Sequence, residues 1–268
     1  LTIITQGGIN NDLRKRVLGI ILGLPPFMVF IVLSPWTLMG VFMCLSFLSL
    51  QEYWKMIDPE RSPIPLWLTL YIVVLVYFPL WNAYPILQRV LWYGFFLSLM
   101  LWSMNDLTKV LQRSGAYLWG SLYCVFFPSF WVRVGVEYSR WTLLFFALLV
   151  WTNDIMAYLI GKKWGYHKIV PSLSPQKSWE GFWGGFVATV ICSLVLGCLW
   201  MRFSPMKSLA SGLLLAPLAF IGDLFESALK RQAGIKDSGK FLPGHGGLLD
   251  RFDAFFAVGP LVYLLNHL

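Results

Sequence analysis

The sequence predicts an all-α polytopic membrane protein of about nine transmembrane helices, with its N-terminus in the cytoplasm and its C-terminus outside. Three observations predict it. Of 268 residues, 57% are apolar and only 13% charged, and mean hydropathy is +0.66; a soluble domain carries about 25% charged residues and could not bury this much apolar surface. The apolar residues form continuous runs rather than an alternating pattern, which selects helices over barrel strands. The basic residues gather in alternate loops, as positive-inside sorting requires.

The runs lie at 17–33, 36–50, 64–80, 85–105, 117–132, 141–160, 181–201, 208–228 and 252–268. The first follows Arg14, Lys15 and Arg16 and resembles a leader, but it lacks a small-residue cleavage site and further spans follow, so it is read as a retained span. Pro25 and Pro26 should kink it, and Ser34-Pro35 makes a tight turnaround. Several runs fall short of the ~20 residues that cross a bilayer comfortably and need local thinning or extended ends. Most of the 14 Trp fall near run ends, as interfacial belts require.

With the N-terminus inside, only Arg89, Arg133, Arg140, Arg202 and Lys207 of the 21 Lys and Arg face outward. The net charge of +8 is scattered between apolar runs, which fits loops facing anionic lipid and excludes a nucleic-acid surface. Cys44, Cys124, Cys192 and Cys198 lie in apolar runs without metal or disulfide spacing and read as free thiols. Residues 1–140 form N-terminal spans with short loops. Residues 141–268 hold two long polar cytoplasmic loops, 161–180 and 229–251, where the chemistry should lie; the two parts make one integrated membrane domain.

Three stretches could carry chemistry. In Gly222–Arg231, residues Asp223, Glu226, Ser227, Lys230 and Arg231 share a helical arc of about 140° at about 100° per residue. A charged Asp at membrane depth costs about 2.5–3.5 kcal/mol on insertion scales. A face binding metal and phosphate explains the mix, and an internal Asp223–Lys230 pair is the alternative. In Lys236–Asp253, Gly244, Gly246 and Gly247 would let backbone N–H groups approach an anion, Lys236, Lys240 and Arg251 add positive charge, and Asp250 and Asp253 suit Mg²⁺. Alternatively Asp250 caps the last helix and Asp253 favours its first turn. His245 either handles a proton or hydrogen-bonds the turn.

The third stretch, Asn153–Lys162, places Asp154 inside a span, where an acid is by default functional, with a hydrogen-bonded packing role as the alternative. The loop after it carries Ser174, Lys177 and Ser178: Lys177 can meet phosphate and Ser178 can cap the next helix. Buried acids, a glycine loop and many cations on one face together suggest metal-assisted chemistry on a phosphorylated lipid or nucleotide.

The stretch SALKRQAGIKDSGKFLPGHGGLLDRFD, Ser227 to Asp253, closely resembles the terminal signature of the phosphatidate cytidylyltransferase (CDP-diacylglycerol synthase) family, without departure. SPQKSWEGFWGG resembles the family's SPKKTWEG segment, departing at Gln176 and Ser178, and DIMAYLIGKKWG resembles its membrane Asp segment. The resemblance covers about a third of the chain, all C-terminal; the earlier spans match in hydropathy alone.

It implies transfer of CMP from CTP to phosphatidic acid, giving CDP-diacylglycerol and pyrophosphate, with Mg²⁺ and a second cation such as K⁺. It assigns metal ligation to Asp223 and Asp250, with Asp253 as a further candidate. Lys230, Arg231, Lys236 and Arg251 become phosphate ligands, and Asp237 and His245 join the catalytic set. Asp154, Ser174, Lys177, Ser178, Ser227, Gly246 and Gly247 make up the substrate-binding set. A homodimer follows by family analogy, and the expected location is a bacterial inner (plasma) membrane with the site facing the cytoplasm. Two other functions compete: a CTP-dependent polyprenol or lipid kinase transferring the γ-phosphoryl group, and a polytopic transporter using Asp154 and Asp223, against which the chain shows no repeat.

Overall fold

The computed structural model describes residues 34–59, 66–77, 94, 97, 110–239 and 246–267. Its regular elements are helices: α1 (Pro35–Ile57), α2 (Leu66–Tyr77), α3 (Val110–Ser121), a π-helical turn (Leu122–Phe126), α4 (Phe127–Glu137), α5 (Arg140–Trp164), α6 (Trp179–Leu199), α7 (Pro205–Gln232) and α8 (Leu249–His267). Helices α5, α6 and α7 are long and apolar enough to cross a membrane, and α2 is apolar but shorter. The expected runs at 36–50, 64–80, 117–132, 141–160, 181–201, 208–228 and 252–268 all have described helices. The run at 17–33, with Pro25 and Pro26, and all of 85–105 but Gly94 and Leu97 lie outside the described residues.

Helix starts follow local chemistry. Ser34 caps α1 by accepting from Thr37 N at 3.1 Å, while Thr37 Oγ1 accepts from Ser34 N at 3.0 Å, and Pro35 fits the first turn, where no donor is needed. Ser139, Ser178 and Ser204 cap α5, α6 and α7 by accepting from Trp141 N, Gly181 N and Lys207 N, without the reciprocal bond. Helices α1, α5 and α7 extend beyond both ends of their apolar runs: α1 continues to Ile57 because Tyr53, Trp54 and Met56 are buried even though Glu52 and Lys55 interrupt the hydropathy. Hydropathy measures affinity for lipid, whereas a helix end is set by caps and packing.

The π turn has a cause in the sequence. Pro128 lacks an N–H, so the helix through α3 and α4 cannot keep regular spacing there. Phe127 N–H donates to Leu122 O, five residues back. The widened turn aims Tyr123 at α8, where its hydroxyl donates to Asp253 O at 3.1 Å and its ring meets Phe225 and Phe256.

Small residues let the C-terminal helices pack in succession, α5 on α6, α6 on α7, α7 on α8 and α8 on α4. A Cβ at Gly185 of α6 would stand 2.8 Å from Asn153 O of α5, and one at Gly181 would stand 2.8 Å from Ala157 O. Ser193 Oγ donates to Ser208 O at 2.5 Å between α6 and α7. At Gly222, α7 meets α8 so closely that a Cβ would collide with that of Ala257 and come within 3.2 Å of Asp253 O. The outer face of α6 exposes Trp183, Val187, Ile191 and Val195 at four-residue spacing, a stripe suited to lipid.

The N-terminal helices hold a buried ion pair. Arg113 Nε of α3 lies 3.2 Å from Asp58 Oδ2, just beyond α1, and the same oxygen accepts from Tyr117 OH at 3.1 Å. Arg113 is therefore a packing residue, not the exposed loop cation that counting basic residues implied. All four cysteines are free, as expected.

The contact at Gly222 makes a test. Gly222→Ala should force α7 and α8 apart at a cost of about 1–3 kcal/mol and lower activity. Gly40→Ala, on an exposed helical position with nothing within 4 Å of the new Cβ, should leave both unchanged or raise stability slightly. Thermal unfolding in detergent distinguishes the two.

Candidate active site

The α7–α8 contact brings acids together. One carboxylate oxygen from each of Asp223, Glu226 and Asp253 lies within 4.8 Å of the others. Like charges roughly 5 Å apart repel by about 3–4 kcal/mol at an effective dielectric near 20, so the cluster needs positive charge. Two lysines supply part of it. Lys177 Nζ lies 2.8 Å from Asp223 Oδ2, and Lys230 Nζ lies 2.6 Å from Glu226 Oε2 and 2.8 Å from Asp250 Oδ1. The alternative Asp223–Lys230 pair is thus replaced by pairing of Asp223 with the loop before α6.

Glu226 is the most enclosed member. Its residue surface is 1% exposed, and its Oε1 is buried without a hydrogen-bond partner. A buried carboxylate oxygen with no donor, aimed among two further carboxylates, suits a hard cation that takes oxygen ligands. The donor set therefore fits Mg²⁺. Asp154 lies on α5 within electrostatic reach of Asp223, Lys177 and Asp253.

Asp250 stands beside the cluster with its oxygens engaged. Oδ1 meets Lys230, and Oδ2 accepts from Gly247 N at 2.7 Å and Ser238 N at 2.9 Å. Burial pushes its carboxyl up, but hydrogen bonds from Lys230 and Gly247 N, with the Lys230 charge, outweigh burial and hold it below the ordinary carboxylate range. Asp250 lies inside the first turn of the last helix rather than at its cap, the alternative weighed from sequence, and holds two backbone N–H groups of the loop before that helix. Asp253 sits one turn into α8, past the first turn that the alternative reading gave it, with Oδ1 accepting from Ala254 N at 2.7 Å.

The glycine loop is organised around carboxylates of the chain itself. Gly246 has φ +81°, a left-handed conformation that disfavours any side chain, and a Cβ there would stand 2.5 Å from Asp250 Oδ2. Glu52 of α1 accepts from Leu248 N at 3.0 Å, from Leu249 N at 2.9 Å and from Ser238 Oγ at 3.2 Å. With Gly247 N given to Asp250, the N–H groups of 247, 248 and 249 all hold internal anions. Anion binding by the backbone was expected from the glycines; the anions met there are Asp250 and Glu52.

The remaining sequence candidates divide by position. Arg231 Nε donates to Leu173 O at 3.1 Å and so ties the end of α7 to the loop before α6. Ser174 shapes that loop through backbone bonds, Ser174 N to Val170 O and Lys177 N to Ser174 O. Ser178 is buried, accepts from Gly181 N at 3.2 Å and lies against Gly161 and Gly165, so its cap is as expected and its hydroxyl points into packing. Ser227 is buried on α7, whereas Lys236, Asp237 and Arg251 are exposed. His245 and Lys240 lie outside the described residues. Sequence reasoning put Glu226 on the correct helical face without assigning it a role, and it missed Glu52, whose only signal was an acid interrupting an apolar helix.

The sequence model of the cytidylyltransferase family matches residues 14–268. An uncharacterized protein, YnbB, of Escherichia coli K12 is 34% identical over 236 residues, covering 85% of this chain and 78% of that protein. Two proteins named phosphatidate cytidylyltransferase, from Staphylococcus epidermidis (strain RP62A) and Staphylococcus aureus (strain COL), are 43% identical over 124 residues and 44% identical over 128. Each of these matches covers 46% of this chain and 48% of the relative, so the matched segment spans about half the length of those two proteins. With the family's sequence model matching residues 14–268 of this chain, and with apolar helices long enough to cross a membrane, the chain is a membrane-embedded member of the cytidylyltransferase family, a nucleotidyltransferase.

Proposed function

We propose that this chain transfers CMP from CTP to phosphatidic acid, producing CDP-diacylglycerol and pyrophosphate for phospholipid synthesis. The observation that carries the reading is the cluster of Asp223, Glu226 and Asp253, with the unpartnered Oε1 of Glu226 inside it. The relatives named phosphatidate cytidylyltransferase support the choice of substrates. The site faces the cytoplasm, where CTP is found, from the inner membrane of a bacterium, and phosphatidate reaches it from the bilayer.

In this reaction a phosphate oxygen of phosphatidate attacks the α-phosphorus of CTP. A new P–O bond forms, the bond between the α-phosphorus and its bridging oxygen breaks, and pyrophosphate leaves with that electron pair. Mg²⁺ held by Asp223, Glu226 and Asp253 would neutralise the triphosphate and the charge developing on pyrophosphate. The geometry favours Glu226 over Asp250 as the third ligand, because Asp250 already binds Lys230 and two backbone N–H groups. Lys177 and Lys230 stand beside the cluster, positioned to turn from carboxylate to phosphate. Arg231, Lys236 and Arg251 add further positive charge, all three on exposed positions. The backbone anion sites at 247–249 serve the fold, so phosphate recognition falls to these side chains.

Two results test this. Purified protein given α-labelled CTP, Mg²⁺ and phosphatidate should place the label in a CDP-lipid and release unlabelled pyrophosphate. Label leaving as CDP, with the γ-phosphoryl group on lipid, would mark a lipid kinase and overturn the reading. Separately, Asp223→Asn, Glu226→Gln and Asp253→Asn should each lower Mg²⁺-dependent turnover by about 10–100-fold or more while leaving membrane insertion intact. Asp250→Asn should also lower turnover, by freeing Lys230 and the loop. Near-normal rates in the first three variants would remove the cation from that cluster.

A further inference from the structure

The start of α8 is held from the opposite end of the sequence. Leu248 N and Leu249 N donate to Glu52, 196 and 197 residues away. The first N–H groups of a helix have no acceptor within it, and a negative charge there also meets the positive end of the helix dipole. Ser238 Oγ, at the other side of the signature loop, donates to the same carboxylate. Both flanks of the loop close on Glu52: a Cβ at Gly239 would collide with its carboxylate, and one at Gly247 would stand 2.5 Å from its Oε2. Two glycines therefore fit the loop around a carboxylate supplied by α1.

The consequence reaches the acid cluster. Leu249 opens α8, and Asp253 lies one turn further on, within 4.8 Å of Asp223 and Glu226. Asp250, between them, binds Ser238 N and Gly247 N. Glu52 and Asp250 thus hold the same two flanks of the loop that joins α7 to α8.

We propose that Glu52 is a positioning residue for the cation and nucleotide site, so that α1 belongs to the catalytic machinery. The assignment rests on the cytidylyltransferase reading above. Glu52 fixes the first turn of α8, and that turn sets where the Asp253 carboxylate stands. A glutamine cannot replace it, because one oxygen becomes an NH₂ facing a backbone donor. An aspartate keeps both oxygens one methylene short.

The experiment compares Glu52→Gln, Glu52→Asp and Leu38→Ala, the last a buried position at the far end of α1. Mn²⁺ binding and amide exchange over residues 246–253 are measured alongside CTP turnover, per folded molecule. Glu52→Gln should weaken Mn²⁺ binding and lower kcat by about 10–100-fold, with faster exchange over 246–253. Glu52→Asp should recover part of each, and Leu38→Ala should lower thermal stability without changing metal affinity or exchange there. Wild-type metal affinity and exchange in Glu52→Gln would overturn the proposal. So would equal losses in Leu38→Ala, which would make the effect one of general stability. Metal binding and exchange need no lipid or CTP: if the wild type makes no CDP-lipid but Glu52→Gln still loses metal affinity and loop protection, the function reading falls and the role of Glu52 stands.

Discussion

Crowding of like charge at the α7–α8 contact governs this structure. Gly222 lets the two helices meet closely enough that Asp223, Glu226 and Asp253 share one small space. In an apolar domain such an arrangement is unfavourable unless cations offset it. Lys177 and Lys230 each neutralise one side, from the loop before α6 and from α7 itself. Glu226 Oε1 still has no partner. The same imbalance that would destabilise an ordinary core suits the divalent ion proposed for this site, and it couples three chain segments that are distant in sequence.

Surrounding elements maintain that contact. Tyr123, turned inward by the π segment that Pro128 requires, donates to the carbonyl of Asp253. Trp131 Nε1 donates to Phe255 O at 2.8 Å, so α4 grips α8 along its length. Arg231 anchors the loop that carries Lys177. These contacts fix helix register through backbone carbonyls rather than through the cluster's carboxylates, which is how a membrane enzyme can hold a polar centre rigid while its outer faces meet fluid lipid.

The sequence made much of this legible, and its limits have physical reasons. Continuous apolar runs locate the helices, because lipid affinity is written locally in composition. The face carrying Asp223, Glu226 and Lys230 follows from helical periodicity, and the signature from Ser227 to Asp253 indicated the family. Helix ends were less legible: α1 runs past its apolar stretch because buried aromatics, not hydropathy, decide where it stops. Pairing across the chain was not legible at all. Nothing local marks Glu52 as the acceptor for Leu248 and Leu249, or Asp58 as the partner of Arg113. Nor could glycine spacing show that the anions in the loop would be the protein's own.

We propose that the three crowded acids form a divalent-cation site. Paramagnetic titration with Mn²⁺, competed by Mg²⁺, on wild-type protein and on Glu226→Gln measures this without any substrate. The account predicts one Mg²⁺-displaceable site in the wild type, weakened about 10–100-fold when Glu226 is neutralised. Equal affinity in the two proteins, or the absence of a displaceable site in the wild type, would contradict it.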